Sequence, residues 1–342
     1  MRETTSRPPR LTIVIPTLNR AGLVGRAIDS ALAQTYARIE VIVSNNGSTD
    51  DTRRLLDSYA GRPRLRVLHR DHTVPAAEHG NLLLEQARGE FFLGLSDDDW
   101  LEPDFATKVI ELFDRHPDLS FVWTGCKIYY ANTAMPAATG PEVERGTDFL
   151  AAFLAGERNV CWCACVTRSA DLRRIGPIPP DVICGDMFYW TKLATRGTVG
   201  CVADPLSNYV NYRDGGDGVS LGTPVLNWAV DTQRWVGDMV STIERANVDG
   251  TCAAALERNA RYFVTRSVAN QFVWRALRGE RRWALLKSIR HVLPYLQSED
   301  RTLWIRVAAG ILAPKWLLRR RIVAAARRRA RAAGVPRTSG GT

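Results

Sequence analysis

The sequence predicts an α/β fold: a mostly parallel central sheet followed by a helical C-terminal region. Three observations carry it. Between residues 11 and 95 short β-branched runs alternate with helical periodicities, the pattern of βαβ units. The apolar runs are continuous rather than alternating, as strands covered on both faces must be. From Thr223 onward the strand pattern gives way to long helical periodicities.

The elements follow in order. Leu11 to Ile15 (LTIVI) reads as a strand ending at Pro16, and residues 21–35 as a helix with Leu23, Ala27, Ala31 and Leu32 on one side. Ile39 to Ser44 is a second strand, closed by the turn-rich Asn45-Asn46-Gly47-Ser48-Thr49-Asp50, and a helix runs from about Asp51 to Tyr59. Leu65 to Leu68 is a third strand, residues 76–87 a helix and Phe91 to Leu95 a fourth strand. Residues 119–130 and 160–167 read as further strands, and 225–246, 251–278, 281–296 and 301–333 as helices, with breaks at Gly250, Gly279 and Pro294. The expected organisation is an α/β domain at 10–222, a helical region with a basic amphipathic tail at 223–334, and disordered ends at 1–9 and 335–342.

Composition narrows the class. The 342 residues are 45% hydrophobic and 24% charged, enough apolar material for a large soluble core. The net charge of +10 is local: from Arg301 to the end there are 11 Lys/Arg and no Asp or Glu, against 35 basic and 36 acidic residues before it. Seven cysteines, without paired CxxC spacing, imply no disulfide framework. Cys161, Cys163 and Cys165 alternate with Trp162 and Ala164, which reads as one buried face of a strand rather than a zinc site. The polar N-terminus and the shortness of every uncharged run lead to an expectation of a cytoplasmic protein.

In a parallel sheet, ligands bind at the carboxyl ends of the strands. That rule selects three loops: 16–20, 45–50 and 96–100. The first, Pro16-Thr17-Leu18-Asn19-Arg20, has no glycine, and neither GxGxxG nor GxxxxGK[ST] occurs in the chain. Thr17, Asn19 and Arg20 suit a base or ribose, or form a plain polar turn. In the second, the amide of Asn45 or Asn46 both donates and accepts and so suits a pyrimidine edge, while Ser48 and Asp50 suit a helix cap. In the third, Ser96-Asp97-Asp98-Asp99, adjacent carboxylates at the end of a buried strand repel one another, and a divalent cation resolves that. Further on, Asp186 in Cys184-Gly185-Asp186-Met187-Phe188-Tyr189-Trp190 opens a helix, either as a cap or as a general base facing the crevice.

Taken in order, IVIPTLNR, VIVSNNGSTDDT, ARGEFFLGLSDDDWLEPD, ELFDRHPDLSFVW and CGDMFYW resemble the family 2 glycosyltransferases over about residues 10–215. The resemblance implies the GT-A fold and a metal-dependent, inverting transfer from a nucleotide sugar. It puts Pro16, Thr17, Asn19 and Asn46 in the nucleotide pocket, Asp97 at the ribose or metal shell, Asp98 on a Mn2+ or Mg2+ ion and Asp186 as the catalytic base. Arg20, from the same loop as Thr17 and Asn19, joins the nucleotide set, and Asp99 is a further metal candidate, with either Asp97 or Asp99 standing in for the acid missing at Ser96. Asn81 falls where members often contribute a polar group. Two departures stand out: Ser96 replaces the first acid of a common DxDD signature, and Asn45-Asn46 replaces an acidic pair. Asparagine can also pair with cytosine, so UDP, dTDP and CDP sugars all fit.

The remaining expectations are coarser. Arg213, in a glycine-rich loop, either pairs with a phosphate in a lid or belongs to a linker. The acceptor is a glycan, lipid-linked or small-molecule hydroxyl in surface polysaccharide assembly. In the tail, Leu303, Trp304, Val307, Ile311 and Leu312 form an apolar face that continues through Trp316, Leu317, Leu318, Ile322 and Val323. Residues 301–333 suit either an anionic membrane surface or packing on the rest of the protein, with nucleic acid disfavoured. The competing class is a non-catalytic binding protein with a degenerate GT-A fold.

Overall fold

The computed structural model describes residues 7–130, 133–137, 139–212, 224–246, 253–296, 301–318, 320 and 324. The chain packs as two compact units, one of residues 1–126 with 138–209, the other of 127–137 with 210–342.

The first unit begins with the strands β1 (Leu11–Thr17), β2 (Ile39–Asn45), β3 (Leu65–His69) and β4 (Phe91–Gly94). They pair in parallel in the order β3-β2-β1-β4, with Leu11 opposite both Ile39 and Phe91. Every residue of β2 and β4 is buried, and all of β1 except Pro16, which explains the unbroken apolar runs. The helices α1 (Val24–Leu32), α2 (Thr52–Asp57), α3 (Ala76–Gln86) and α4 (Phe105–Arg115) fall between and after these strands. The helix α1 buries Val24, Ala27, Ile28 and Ala31 at helical spacing, and α4 buries Phe105, Val109, Leu112 and Phe113.

Beyond β4 the sheet turns antiparallel. The short β5 (Trp100–Leu101) is followed by β6 (Leu119–Tyr130), β7 (Thr133–Pro136), β8 (Val143–Arg145), β9 (Cys165–Arg168) and β10 (Thr198–Tyr212). The sheet continues β4-β9-β6-β10-β5, with β8 beside β10. Three helices, α5 (Gly146–Ala155), α6 (Ser169–Ile175) and α7 (Gly185–Ala194), complete the first unit.

The cysteine-rich strand expected over 160–167 is shorter than its alternation suggests. Trp162–Ala164 is a 3-10 turn, closed by Ala164 N donating to Cys161 O at 3.0 Å, and the strand starts only at Cys165. A Cβ at Gly94 would overlap the Trp162 indole, so the bare glycine of β4 leaves the space in which that ring lies.

The second unit contains the hairpin of Lys127–Tyr130 with Thr133–Pro136 and four helices, α8 (Val225–Arg245), α9 (Ala253–Arg278), α10 (Arg282–Val292) and α11 (Arg301–Leu312). Val225, Ala229, Val268, Phe272, Leu285, Val292, Val307 and Ile311 form its core. The helix expected to run to residue 333 ends at Leu312 ahead of Pro314, and a further helical turn covers 315–318. The tail face taken as a membrane contact is therefore in part a core face: Leu303, Val307, Ile311 and Leu318 are buried. Ile322, Val323 and the arginines from 327 onward lie outside the described residues.

Candidate functional site

Side chains bind the first two strand-end loops together. Asn19, held at φ 54°, accepts from Thr49 N at 2.8 Å through its side chain, and its own N–H donates to Ser48 Oγ at 2.9 Å. Arg20 N donates to Thr52 Oγ1 and Ala21 N to Asp50 Oδ2, while Asp50 also caps Thr52 N at 2.9 Å. Gly47 sits at φ 74°, where a Cβ would meet the backbone of His72 and Thr73 at 2.6 Å. Pro16 is half-buried at the end of β1, opposite Ser44.

The two asparagines of the β2 loop serve the fold. Asn45 Oδ1 accepts from Ser48 N at 2.9 Å, an Asx-type turn. Asn46, 5% exposed, donates to Val74 O at 2.9 Å and accepts from Val74 N at 3.1 Å. One N–H and one lone pair of the amide expected to read the base are thus engaged with the backbone. Asn81 works in the same way, clamping Ile178 N and O at 2.8 and 3.0 Å.

At the end of β4, Asp97 and Asp98 are half-buried and Asp99 is fully buried. Thr17 Oγ1 donates to Asp97 Oδ2 at 2.8 Å, so this threonine of the β1 loop acts on the acidic loop. Burial pushes the Asp97 carboxyl up to about 6; the Thr17 hydrogen bond and the Arg20 charge oppose the rise, and the Asp98 charge adds to it. Arg26 of α1 donates to Asp98 O at 2.7 Å and stacks on Trp100 at 3.7 Å, fixing the backbone that carries Asp98. Arg26 gives no sign of this role in sequence, since an exposed arginine in an amphipathic helix is ordinary.

Asp99 departs from the expectation of a second metal ligand. It is 0% exposed, and its charge acts on Cys161, Cys163 and Tyr209. Those thiols hydrogen-bond to Cys126, and burial together with the Asp99 charge raises Cys163 and Tyr209 well above their ordinary values. Complete burial separates Asp99 from its neighbours Asp97 and Asp98.

Asp186 lies in the first turn of α7, half-buried, where its Oδ1 accepts from Met187 N at 2.9 Å. Cys161, raised chiefly by its hydrogen bond to Cys126, and Tyr209, raised chiefly by burial, also feel the charges of Asp99 and Asp186. Arg213 lies outside the described residues.

Among the described residues no group of three or more His, Cys, Asp or Glu side chains is arranged to hold a metal by itself. Magnesium and manganese need only one or two protein carboxylates and complete their sphere with phosphate and water. The half-buried Asp97–Asp98 pair, with one carboxyl raised by burial and by its neighbour's charge, presents the hard oxygen donors that such an ion takes.

The strand order and the strand-end loops together have the GT-A architecture. Residues 12–172 match the family model described as Glycosyl transferase family 2. Hyaluronan synthase of Pasteurella multocida is 34% identical over 120 residues, which is 35% of this chain and 12% of that protein. The chain spans between 12% and 18% of the length of four such curated relatives, chondroitin synthases included. Among solved structures, S. aureus TarS 1-349 in complex with UDP superposes with TM-score 0.59 over 92% of both chains at 16% identity. The mannosyltransferase PcManGT of Pyrobaculum calidifontis, in complex with GDP-Man and Mn2+, gives 0.52 over 90% of this chain and 88% of that one at 20% identity. These likenesses bear out the expected GT-A fold with a helical C-terminal region.

Proposed function

We propose that the chain is a metal-dependent, inverting glycosyltransferase that moves a sugar from a UDP, dTDP or CDP donor to a hydroxyl of a glycan, lipid-linked or small-molecule acceptor in surface polysaccharide assembly. The observation that carries this is the half-buried Asp97–Asp98 pair at the end of β4, with Asp97 held by Thr17 of the β1 loop.

Asp98, with Asp97 beside it, would hold Mn2+ or Mg2+, which when bound supplies positive charge for the departing diphosphate. The rest belongs to the chain. Pro16, Thr17, Asn19 and Arg20 border the nucleotide, and Thr17 orients Asp97. Asp186 accepts the proton of the attacking acceptor hydroxyl. The hydrogen bonds around Asn46 limit it to one further N–H and one lone pair toward a base.

The test is a panel of UDP, dTDP, CDP and GDP sugars with Mn2+, read by donor hydrolysis and by the anomeric configuration of the product. Turnover of a pyrimidine donor with inversion is expected; binding of GDP alone would sink the pyrimidine assignment, and retention the single displacement. Ser96 in place of an acid, and Asn46 in a structural clamp, favour a second reading, a non-catalytic binding protein. Donor binding without turnover across the whole panel would select it.

A further inference from the structure

The outer faces of α10 and α11 remain unexplained by the transferase chemistry. The two helices are neighbours, and their inner faces are already seated in the second unit's core through Leu285, Val292, Val307 and Ile311. What they turn outward is large and apolar: Trp283 is 76% exposed, Ile305 58% and Leu312 64%, and Trp316 beyond α11 is 59% exposed. Single exposed leucines are ordinary on a protein surface. Two tryptophans and several aliphatic side chains on adjacent helices are a repeated choice of costly residues.

The charge around them has one sign. Arg282, Lys287, Arg290, Arg306 and Lys315 are all exposed. From Arg281 to Leu296, and again from Arg301 to the last residue, there is no Asp or Glu; Glu299 and Asp300 between these stretches lie outside the described residues. Tryptophan and leucine next to uncompensated lysine and arginine match the headgroup region of an anionic bilayer, where indole rings lie at the interface and cations meet lipid phosphate. A second copy of the chain would bring like charge against like charge. Among the described residues no helix is long and apolar enough to cross a membrane, so the contact lies in the plane of the surface.

We infer that the outward faces of α10 and α11, with Trp316, form a docking surface for an anionic lipid bilayer. The surface differs from the apolar face visible in the sequence, half of which is core, and adds Trp283, Leu286 and Lys287 of α10 to it. It stands independently of the transferase assignment.

The experiment is co-sedimentation of the full chain with vesicles of phosphatidylcholine alone or of phosphatidylcholine with phosphatidylglycerol at 7:3, with a duplex oligonucleotide as competitor. Binding to the anionic vesicles only, with a blue shift of tryptophan emission, is expected. Trp283→Ala with Trp316→Ala, and separately Arg282→Glu with Lys287→Glu, should each weaken partition roughly tenfold or more. Both pairs are solvent-exposed, so unchanged circular-dichroism melting confirms that the variants fold. Equal binding to neutral vesicles, no binding to either, unaltered partition of folded variants, or full displacement by the oligonucleotide would each overturn the inference.

Discussion

Acidification should loosen the floor of the β1 and β2 strand-end loops through one histidine. His79 of α3 is 3% exposed, and its Nε2 lies 2.8 Å from Ser44 Oγ, one residue before the Asn45-Asn46 turn. Burial, reinforced by the charge of Arg70, lowers its pKa from 6.5 to about 4. The folded state therefore prefers neutral imidazole, while the unfolded chain takes up a proton below 6.5. Stability is complete above that value and falls as the pH drops toward 4. Between pH 8 and pH 5 those two values correspond to a loss of about 2 kcal/mol. Asp97 acts in the opposite sense: its raised carboxyl destabilises at neutral pH and is relieved as it protonates, by about 1 kcal/mol over the same range. The clean measurement is thus a difference. Urea unfolding of wild type and His79→Gln at pH 8 and pH 5 should show the wild type losing about 2 kcal/mol more than the variant, whose amide keeps a partner for Ser44. Equal losses would refute the assignment of a neutral, buried His79.

Other outcomes follow from the site. Asp186→Asn should lower turnover by roughly 10²–10⁴ with donor affinity retained, checked by steady-state kinetics and nucleotide titration. Asp98→Ala should abolish the metal-dependent part of the activity, and chelation of wild type should reproduce that loss reversibly on adding Mn2+. Asn46→Asp would set a carboxylate oxygen against Val74 O, so a loss of about 1–3 kcal/mol in urea unfolding is expected. Gly94→Ala should cost about 1–3 kcal/mol and shift the Trp162 signal in near-ultraviolet circular dichroism, and Trp162→Leu in the same chain should recover part of the loss.

The parallel half of the fold was legible because its signals are local. Leu11–Thr17 and Ile39–Asn45 are buried on both faces, and a strand covered on both faces shows itself as an apolar run. The acids at the end of β4 were legible for the same reason, since a strand end can be read without knowing what surrounds it. Direction was not legible. Nothing in Ser96-Asp97-Asp98-Asp99 says that Asp99 turns inward toward Cys161 while Asp97 meets Thr17, because both partners come from distant parts of the chain. Cys161-Trp162-Cys163-Ala164-Cys165 has the alternation of a strand, yet its first part is a 3-10 turn whose indole lies over Gly94. In α11 the apolar positions are right, but whether Leu303 and Val307 face lipid or protein depends on Phe272 and Leu285 of other helices.

The hydrogen bonds from Thr49 N to Asn19, Thr17 to Asp97 and Arg26 to Asp98 O join three loops that are far apart in the chain. Their conformational freedom is surrendered when the protein folds, not when the donor arrives. A substrate entering this end of the sheet meets a mould already set, and the association rate should respond to changes in these loops far less than the lifetime of the complex. Exchanging one loop for that of a relative would break bonds in the other two. Altered donor preference is therefore to be sought by exchanging the three together, as a single inherited part.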